Sequence, residues 1–553
     1  MDLNQAQLLR MMSEIDDICK KNKIDYTLAG GSMIGAVRHR GFIPWDDDMD
    51  IYMTQSNWYK FLEVVKRDGL PEGRTLEAPE LDRSFSNMFN RYTNTDTTTI
   101  HNSQIVHSDA AGQIIDIFVF DPIIDDPKAI KEYRENMMLY SDLINSVIGY
   151  QTRFDVDPAR YQSCIKRCRT PEGRDQVLSE LEASFRKYDE KDCTKYIMRW
   201  GLNTFVLDKE IFDGYEYMKC ESAEYEVVTH FSEYLTWQYG DEWIYIPHHD
   251  DQVTHDTVAD EFIDYKTVRN DYMSFLDREK LMKTYRKRKL KHLKSGPKRH
   301  RYQDSVQDLK ALAAKMELEQ RIAATDEDVF EMLENEEYGK LREIFDDFAK
   351  VQLSPGFIGR VDNFGFIYRY YKPMLIDIED KYWPLFVKFL KSTERMARAF
   401  RIITIYEELN GTGNAEMEKI KDEILRTRKI VNLYFRKEYE EAYKLANELL
   451  SDDPKSYQAM KIKLRILFVH PEYSDNYKED AEYLLSYLGR IYPGTGEVTK
   501  YQGDYLFPTD REKAIELYKE AYSHTDNGYV LLELDDIFAE LGIEAPQPME
   551  GIL

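Results

Sequence analysis

The sequence predicts an α+β front half, a mixed sheet with flanking helices, followed by an all-α, solenoid-like C-terminal region. Three observations carry that prediction. An apolar run from Tyr26 to Ala29 leads into Gly30-Gly31-Ser32 and a helical pattern at Met33, Ile34, Ala36 and Val37, which together read as strand, turn and helix. Residues Gln113 to Phe120, Q-I-I-D-I-F-V-F, read as a buried strand. From about residue 305 the apolar spacing becomes almost wholly helical.

Taken in order, residues 4–22 form an amphipathic helix with Leu8, Met12, Ile15 and Cys19 along one stripe, expected to pack against the back of the sheet. The helix after Ser32 should end near Gly41, with Arg38, His39 and Arg40 at its negative end. The stretch D-D-D-M-D-I-Y then begins a strand. Side chains alternate along a strand, so Asp48 and Asp50 share one face while Met49 and Ile51 turn to the core. Thr54 is placed to cap a helix bearing Trp58, Phe61, Leu62 and Val65. The threonine-rich residues 92–104 read as a loop or strand edge, and residues 128–240 as mostly helical and rich in tyrosine.

Two acids on one strand face repel each other unless a cation sits between them. Mg²⁺ (or Mn²⁺) binds through one or two carboxylates and fills its shell with substrate phosphate oxygens, so a phosphoryl substrate is the natural third party. Glycine-turn amides ahead of a helix suit such an anion, which makes Gly31 and Ser32 candidates to seat a phosphate. Arg38 and Arg91 are the candidate cations beside them, with a plain surface arginine the alternative reading of Arg91. Asp116 is the one carboxylate inside an otherwise apolar strand, where an apolar residue would cost nothing. Asp46 has the parity of Asp48 and Asp50 but follows Pro44-Trp45, and it ranks as an accessory ligand. Asp47 points the other way and reads as structural.

A Gly-Ser turn followed by D-x-D on a strand, with a third acid on a neighbouring strand, resembles the nucleotidyltransferase superfamily. Within it, G-G-S-M-I-G-A-V-R-H-R-G-F-I-P-W-D-D-D-M-D-I resembles the LicD family of bacterial phosphocholine transferases, related to fukutin and fukutin-related protein. Looser likeness continues at residues 90–100, 112–121 and 234–247, so the resemblance covers about the first half of the chain. Two positions depart from it: Arg91 stands where a lysine is expected, and Val119 where a proline is usual. The resemblance implies a nucleotidyltransferase-like fold. It implies metal on Asp48, Asp50 and Asp116, with Asp46 accessory, and a role for Asp116 either in that metal site or in accepting the acceptor hydroxyl's proton. It also implies transfer of phosphocholine or an alditol phosphate from a CDP-linked donor to a hydroxyl of a cell-surface glycan or lipid-linked glycan, such as lipopolysaccharide or teichoic acid, with release of CMP. Transfer of a nucleoside monophosphate with release of pyrophosphate, and a non-enzymatic helical scaffold, are the alternatives.

The remaining features bound the setting. The 553-residue chain carries a net charge of −26 and five scattered cysteines without paired zinc spacing, which suits a reducing compartment. Neither a leader pattern nor a membrane-length apolar run is present, so the expected location is cytoplasmic, with peripheral contact at the inner membrane face as a variant. That variant rests on residues 283–301, which hold ten Lys/Arg and no acid. A linker docking on the acidic remainder is the favoured reading, anionic lipid the second, and nucleic acid is disfavoured for want of an aromatic-interleaved groove. The His/Asp-rich residues 248–256 read as a polar loop rather than a metal site, and the forty tyrosines as core and composition. The expected boundaries are 1–275 for the catalytic domain, 276–305 for the linker, 306–412 for a helical domain and 413–553 for tetratricopeptide-like repeats. Those repeats are inferred from small residues at Ala442 and Ala514 with bulkier ones a turn or two later, and such surfaces bind partners or self-associate.

Overall fold

A computed structural model describes residues 2–82, 85, 89–100, 112–144, 157–199, 206–249, 252, 258–260, 262–267, 283, 287, 329–341, 380–392, 396–410, 413–491 and 494–552. They fall into two compact units, Met1–Thr229 with Val253–His300, and His230–Gln252 with Arg301–Leu553.

The first unit is built on a mixed sheet. Its strands are β1 (Thr27–Leu28), β2 (Asp50–Thr54), β3 (Arg74–Glu77), β4 (Asn90–Asn94), β6 (Gln113–Ile123), β7 (Lys195–Met198) and β8 (Val206–Asp208). Along the sheet the order is β1-β2-β6-β4-β3, with β7 and β8 added at the far end of β6. Only β2 and β6 run parallel; the other pairings are antiparallel. Two small ribbons accompany it, β9 (Tyr215–Cys220) with β10 (Ala223–Val228), and β5 (Thr98–Ile100) with β11 (Val258–Asp260).

Alternation explains how β6 serves two surroundings. Ile115, Ile117 and Val119 are fully buried on one face, while Asp116 and Phe118 on the other are half-buried. Helix α1 (Leu3–Asn22) packs on the sheet as its apolar stripe requires, with Leu8, Met12, Ile15 and Cys19 all buried. Its Glu14 clamps Arg74 of β3 through two bonds of 2.7 and 2.9 Å and accepts a third from the Tyr92 hydroxyl of β4. Helix α2 (Gly30–Ile34) continues through a π-helical turn over Gly35–His39 and stops at Arg40, whose φ of 53° ends it one residue before the expected Gly41. Helix α3 (Gln55–Asp68) follows Thr54 and buries Trp58, Phe61, Leu62 and Val64; Val65, placed in the stripe by sequence, is only half-buried. Helices α4 (Pro127–Ile144), α5 (Pro158–Arg167) and α6 (Pro171–Phe185) complete this part.

The expectation of a mostly helical 128–240 fails over 195–228, where β7 to β10 lie. These segments mix tyrosine and β-branched residues with charged ones at a two-residue rhythm, and cross-strand pairing decides such short runs. Cys19 and Cys164 lie on helices and Cys220 on a strand; all five cysteines are free thiols.

The far end of β6 carries a buried ion-pair network. Asp121, fully buried, accepts from Arg199 at 2.6 and 2.9 Å, from the Tyr133 hydroxyl and from Gln55 of α3. Arg199 also reaches Glu80 at 2.8 Å. This network fastens β7 and α3 to β6.

The second unit is helical throughout its described elements. Short helix α8 (Val329–Glu334) precedes α9 (Trp383–Ser392), α10 (Met396–Asn410), α11 (Ala415–Phe435), α12 (Tyr439–Asp452), α13 (Tyr457–Val469), α14 (Tyr477–Ile491), α15 (Gly496–Leu506), α16 (Arg511–Tyr522) and α17 (Gly528–Leu541). From α11 onward each helix packs on the next. Ala442 and Ala514 are fully buried where neighbouring helices approach, in keeping with the small-residue pattern. Residues His230–Gln252 belong to this unit through α7 (Phe231–Tyr239): Trp243 and Phe231 pack on Phe435, and Asp241 receives Arg428 through contacts of 2.8 to 3.1 Å. Among the described residues no helix is long and apolar enough to cross a membrane. The basic residues 283–301 lie outside the described residues except for Lys283 and Lys287, as do most of 306–379.

Removing Arg199 while keeping Asp121 would strand a buried carboxylate. Arg199→Ala should therefore lower stability by about 3–5 kcal/mol in chemical denaturation, whereas a loss under about 1 kcal/mol would show the network to be dispensable.

Candidate active site

Carboxylates singled out by sequence meet on the sheet face opposite Ile115, Ile117 and Val119. The parallel register sets Asp50 of β2 directly beside Asp116 of β6. The antiparallel register then sets Arg91 of β4 beside Asp116, and Glu77 of β3 beside Arg91. Four charged side chains from four strands thus form one lateral row, acid, acid, base, acid, on strands spaced about 4.8 Å apart.

Asp48 does not share the strand. Strand β2 begins at Asp50, and Asp46 to Met49 form an irregular lead-in whose Met49 is buried while the three aspartates are half-buried. Asp46 and Asp48 both act electrostatically on Asp50. Burial first, then Asp48, Asp116 and Asp46, pushes Asp50 well above the ordinary carboxylate range. Asp116 is raised to about 6, chiefly by burial, with Arg91 pulling it down and Asp48 and Glu77 pushing it up. Its partner Arg91 donates from Nε to Asp116 Oδ1 at 3.3 Å and is itself buried.

The glycine-serine turn holds these acids in place. Ser32 is buried, and its Oγ accepts the backbone N–H of Asp50 at 2.9 Å, tying α2 to the first residue of β2. The Ala29 N–H adds a bond of 2.9 Å to the Asp50 carbonyl. A Cβ at Gly31 would fall 2.5 Å from Asp46 Oδ2, so glycine there leaves room for that carboxylate. Gly35 meets backbone instead: a Cβ would lie 2.4 Å from the Gly41 carbonyl oxygen. Arg38 is buried and donates from Nε to Nε2 of His39 at 3.0 Å. His39 is in turn lowered to about 3 by burial and by Arg38, so its ring is neutral at physiological pH. Arg91 is bonded to the site through Asp116.

Three supports were not visible in the sequence. Asn4 and Gln5, in the first turn of α1, donate to the carbonyls of Asp47 at 2.8 Å and Asp46 at 3.0 Å, fixing the acidic lead-in. Gln113, at the start of β6, bonds Asn4 in turn. Glu221, in the β9–β10 turn with φ 57°, accepts the Phe42 N–H at 3.1 Å and donates its own N–H to the Arg40 carbonyl at 2.8 Å. Polar residues on a helix end or a hairpin turn are ordinary solvent-facing choices, and only folding shows them facing one loop.

All the donors in this row are oxygens, the chemistry that hard divalent cations prefer. Among the described residues, no three His, Cys, Asp or Glu side chains close into a ready cage. A Mg²⁺-like ion needs only one or two protein carboxylates when substrate phosphates supply the rest, and the crowding that raises Asp50 is the penalty such a charge relieves.

Residues 23–142 match the family model described as LicD/FKTN/FKRP, nucleotidyltransferase domain. Over 278 residues, 46% of this chain and 95% of the relative, the sequence is 27% identical to the lipopolysaccharide cholinephosphotransferase LicD of Haemophilus influenzae. Uncharacterized proteins of Rickettsia typhi and Rickettsia prowazekii match shorter stretches. The first is 36% identical over 58 residues, covering 10% of this chain and 19% of the relative; the second is 46% identical over 44 residues, covering 8% and 16%. No solved structure matches. The front of the chain thus carries a LicD-type nucleotidyltransferase domain at residues 23–142.

An acid whose folded pKa is raised contributes stability only while protonated, and that contribution is lost as pH rises above its ordinary range. In metal-free protein Asp50→Asn should therefore melt a few degrees above wild type at pH 7.5, with the gap narrowing as pH is lowered to 5. An unchanged or lowered melting temperature at pH 7.5 would contradict the crowding of the row.

Proposed function

We propose that this protein transfers a phospho-alcohol, phosphocholine or an alditol phosphate, from a CDP-linked donor to a hydroxyl of a cell-surface glycan or its lipid-linked precursor, releasing CMP. One observation carries the reading: a paired Asp50 and Asp116, flanked by Arg91, on one face of the sheet within the residues that match the LicD-type nucleotidyltransferase domain. The resemblance to a lipopolysaccharide cholinephosphotransferase over nearly all of that relative's length supports the substrate class.

Asp48 and Asp50 would hold Mg²⁺ or Mn²⁺, which when bound neutralises charge on the donor's diphosphate. Arg91 binds a non-bridging oxygen of the transferred phosphoryl group, where its fixed fork suits a tetrahedral anion. Asp116, beside that phosphoryl group, accepts the proton of the attacking acceptor hydroxyl. The acceptor oxygen forms the new bond to phosphorus, the bond from phosphorus to the CMP oxygen breaks, and CMP leaves with that electron pair. Gly31 leaves room beside the other acids for the Asp46 carboxylate, and Ser32 keeps Asp50 in register.

The test is a nucleotide-release assay with Mg²⁺, a panel of CDP-alcohols and a lipopolysaccharide or other glycan fraction. CMP should appear with wild type, and Asp116→Asn should lower the rate by about 10²–10⁴-fold. Asp50→Ala should abolish it. Pyrophosphate from a nucleoside triphosphate would replace the reading with nucleotidyl transfer, and silence on both panels would replace it with a non-enzymatic scaffold.

A further inference from the structure

The helical unit holds a cavity of about 60 Å³, walled by α11, α13, α15, the start of α17 and the segment that follows α7. The two carboxylates in its wall are already engaged. Glu497 accepts from Lys461 at 2.6 Å and from the Tyr501 hydroxyl at 2.6 Å, and Asp241 holds Arg428 through both its oxygens. The donors in the wall are not all engaged. Arg465 is 8% exposed, and three of its five N–H groups go to Tyr434, Tyr501 and Glu533; the other two have no partner among the described residues. Asn527, 3% exposed, spends its Oδ1 on the amides of Tyr529 and Val530 as the cap of α17, which leaves its Nδ2 without a partner among the same residues. The Tyr529 hydroxyl likewise meets no acceptor among them.

We infer that this cavity is a binding site for a small organic carboxylate built on a single ring. The site lies outside residues 23–142 and is independent of the transfer proposed above. Buried donors without acceptors are costly, and a ligand that brings acceptors removes that cost. Arg465 makes an ionised acceptor the better one, because hydrogen bonds between charged partners are roughly twice as strong as neutral ones. One negative charge is the limit. Lys461, Arg465 and Lys500 are already offset by Glu497, Glu533 and Asp504, so a phosphate dianion would carry uncompensated charge into the unit. The rest of the wall sets the body of the ligand. Trp243 lies 5.7 Å from Phe435, and Phe435 5.3 Å from Tyr529, centroid to centroid, so a flat apolar ring meets aromatic partners there. The volume holds about four to six waters at roughly 10–15 Å³ each, which suits one six-membered ring with its carboxylate and excludes a peptide segment.

The test titrates the full chain with benzoate, with benzamide as the uncharged counterpart and phenyl phosphate as the dianion, by calorimetry and thermal melting. Benzoate should bind and raise the melting temperature by a few degrees near saturation, and the other two should bind at least about 10-fold more weakly. Asn527→Asp keeps the helix cap, because aspartate caps as well as asparagine, but sets a carboxylate where the Nδ2 donor stood. It should melt like wild type without ligand and bind benzoate at least about 10-fold more weakly. Tyr529→Phe removes only a hydroxyl and should weaken benzoate about 2- to 10-fold, which decides the matter if the cap does not tolerate aspartate. No benzoate binding up to about 10 mM, or equal or tighter binding of benzamide or phenyl phosphate, would overturn the inference. Unchanged benzoate affinity in either folded variant would place the probe elsewhere on the chain and overturn it as well.

Discussion

Two carboxylates held side by side on adjacent parallel strands repel each other, and most of the front unit is arranged to keep them there. The parallel pairing of β2 with β6 sets Asp50 against Asp116, and burial of both strands removes the water that would screen them. Ser32 secures one end of β2 through the Asp50 amide, Asn4 and Gln5 secure the acidic lead-in, and Glu221 secures the loop that follows α2. These are short-range bonds from residues far apart in sequence. Together they offset a repulsion that the strands alone would relieve by separating.

The other end of β6 shows what a compensated acid looks like. Asp121 is more deeply buried than Asp116, yet Arg199 meets both its oxygens and Tyr133 and Gln55 fill the remaining lone pairs. That acid is structural because its surroundings satisfy it. At Asp116 a single guanidinium bond at 3.3 Å faces charge from Asp48 and Glu77, so the balance stays on the side of excess negative charge. The contrast separates a fastening from a site that an external cation or phosphate group would complete.

In the helical unit the same economy appears inside the array. Lys461 pairs with Glu497 at 2.6 Å, and Arg465 donates to the hydroxyls of Tyr434 and Tyr501 at 3.0 and 3.1 Å, beside the packed apolar side chains of the array. Tyrosines that read as composition in the chain serve there as partners for buried cations. Residues His230–Gln252, which the family likeness groups with the front half, pack in this unit through Trp243, Phe231 and Asp241.

Much of the front unit was legible because its signals are local. Glycine punctuation, an apolar run in β6 and a period of 3.6 in α1 each depend on a few consecutive residues, and the structure places α1, α2, α3 and β6 where those signals put them, while β2 begins only at Asp50. The strands β7 to β10 were missed because short runs mixing tyrosine with charge take their form from a partner strand, which no local window contains. By itself, then, the sequence determined the acids, the glycine turn and the helical character of the C-terminal region, since residue type and spacing are properties of the chain. Only the tertiary structure decided that Asp50 stands beside Asp116 and that Arg91 and Glu77 extend their row, because strand register joins positions whose separation in sequence carries no record of their contact.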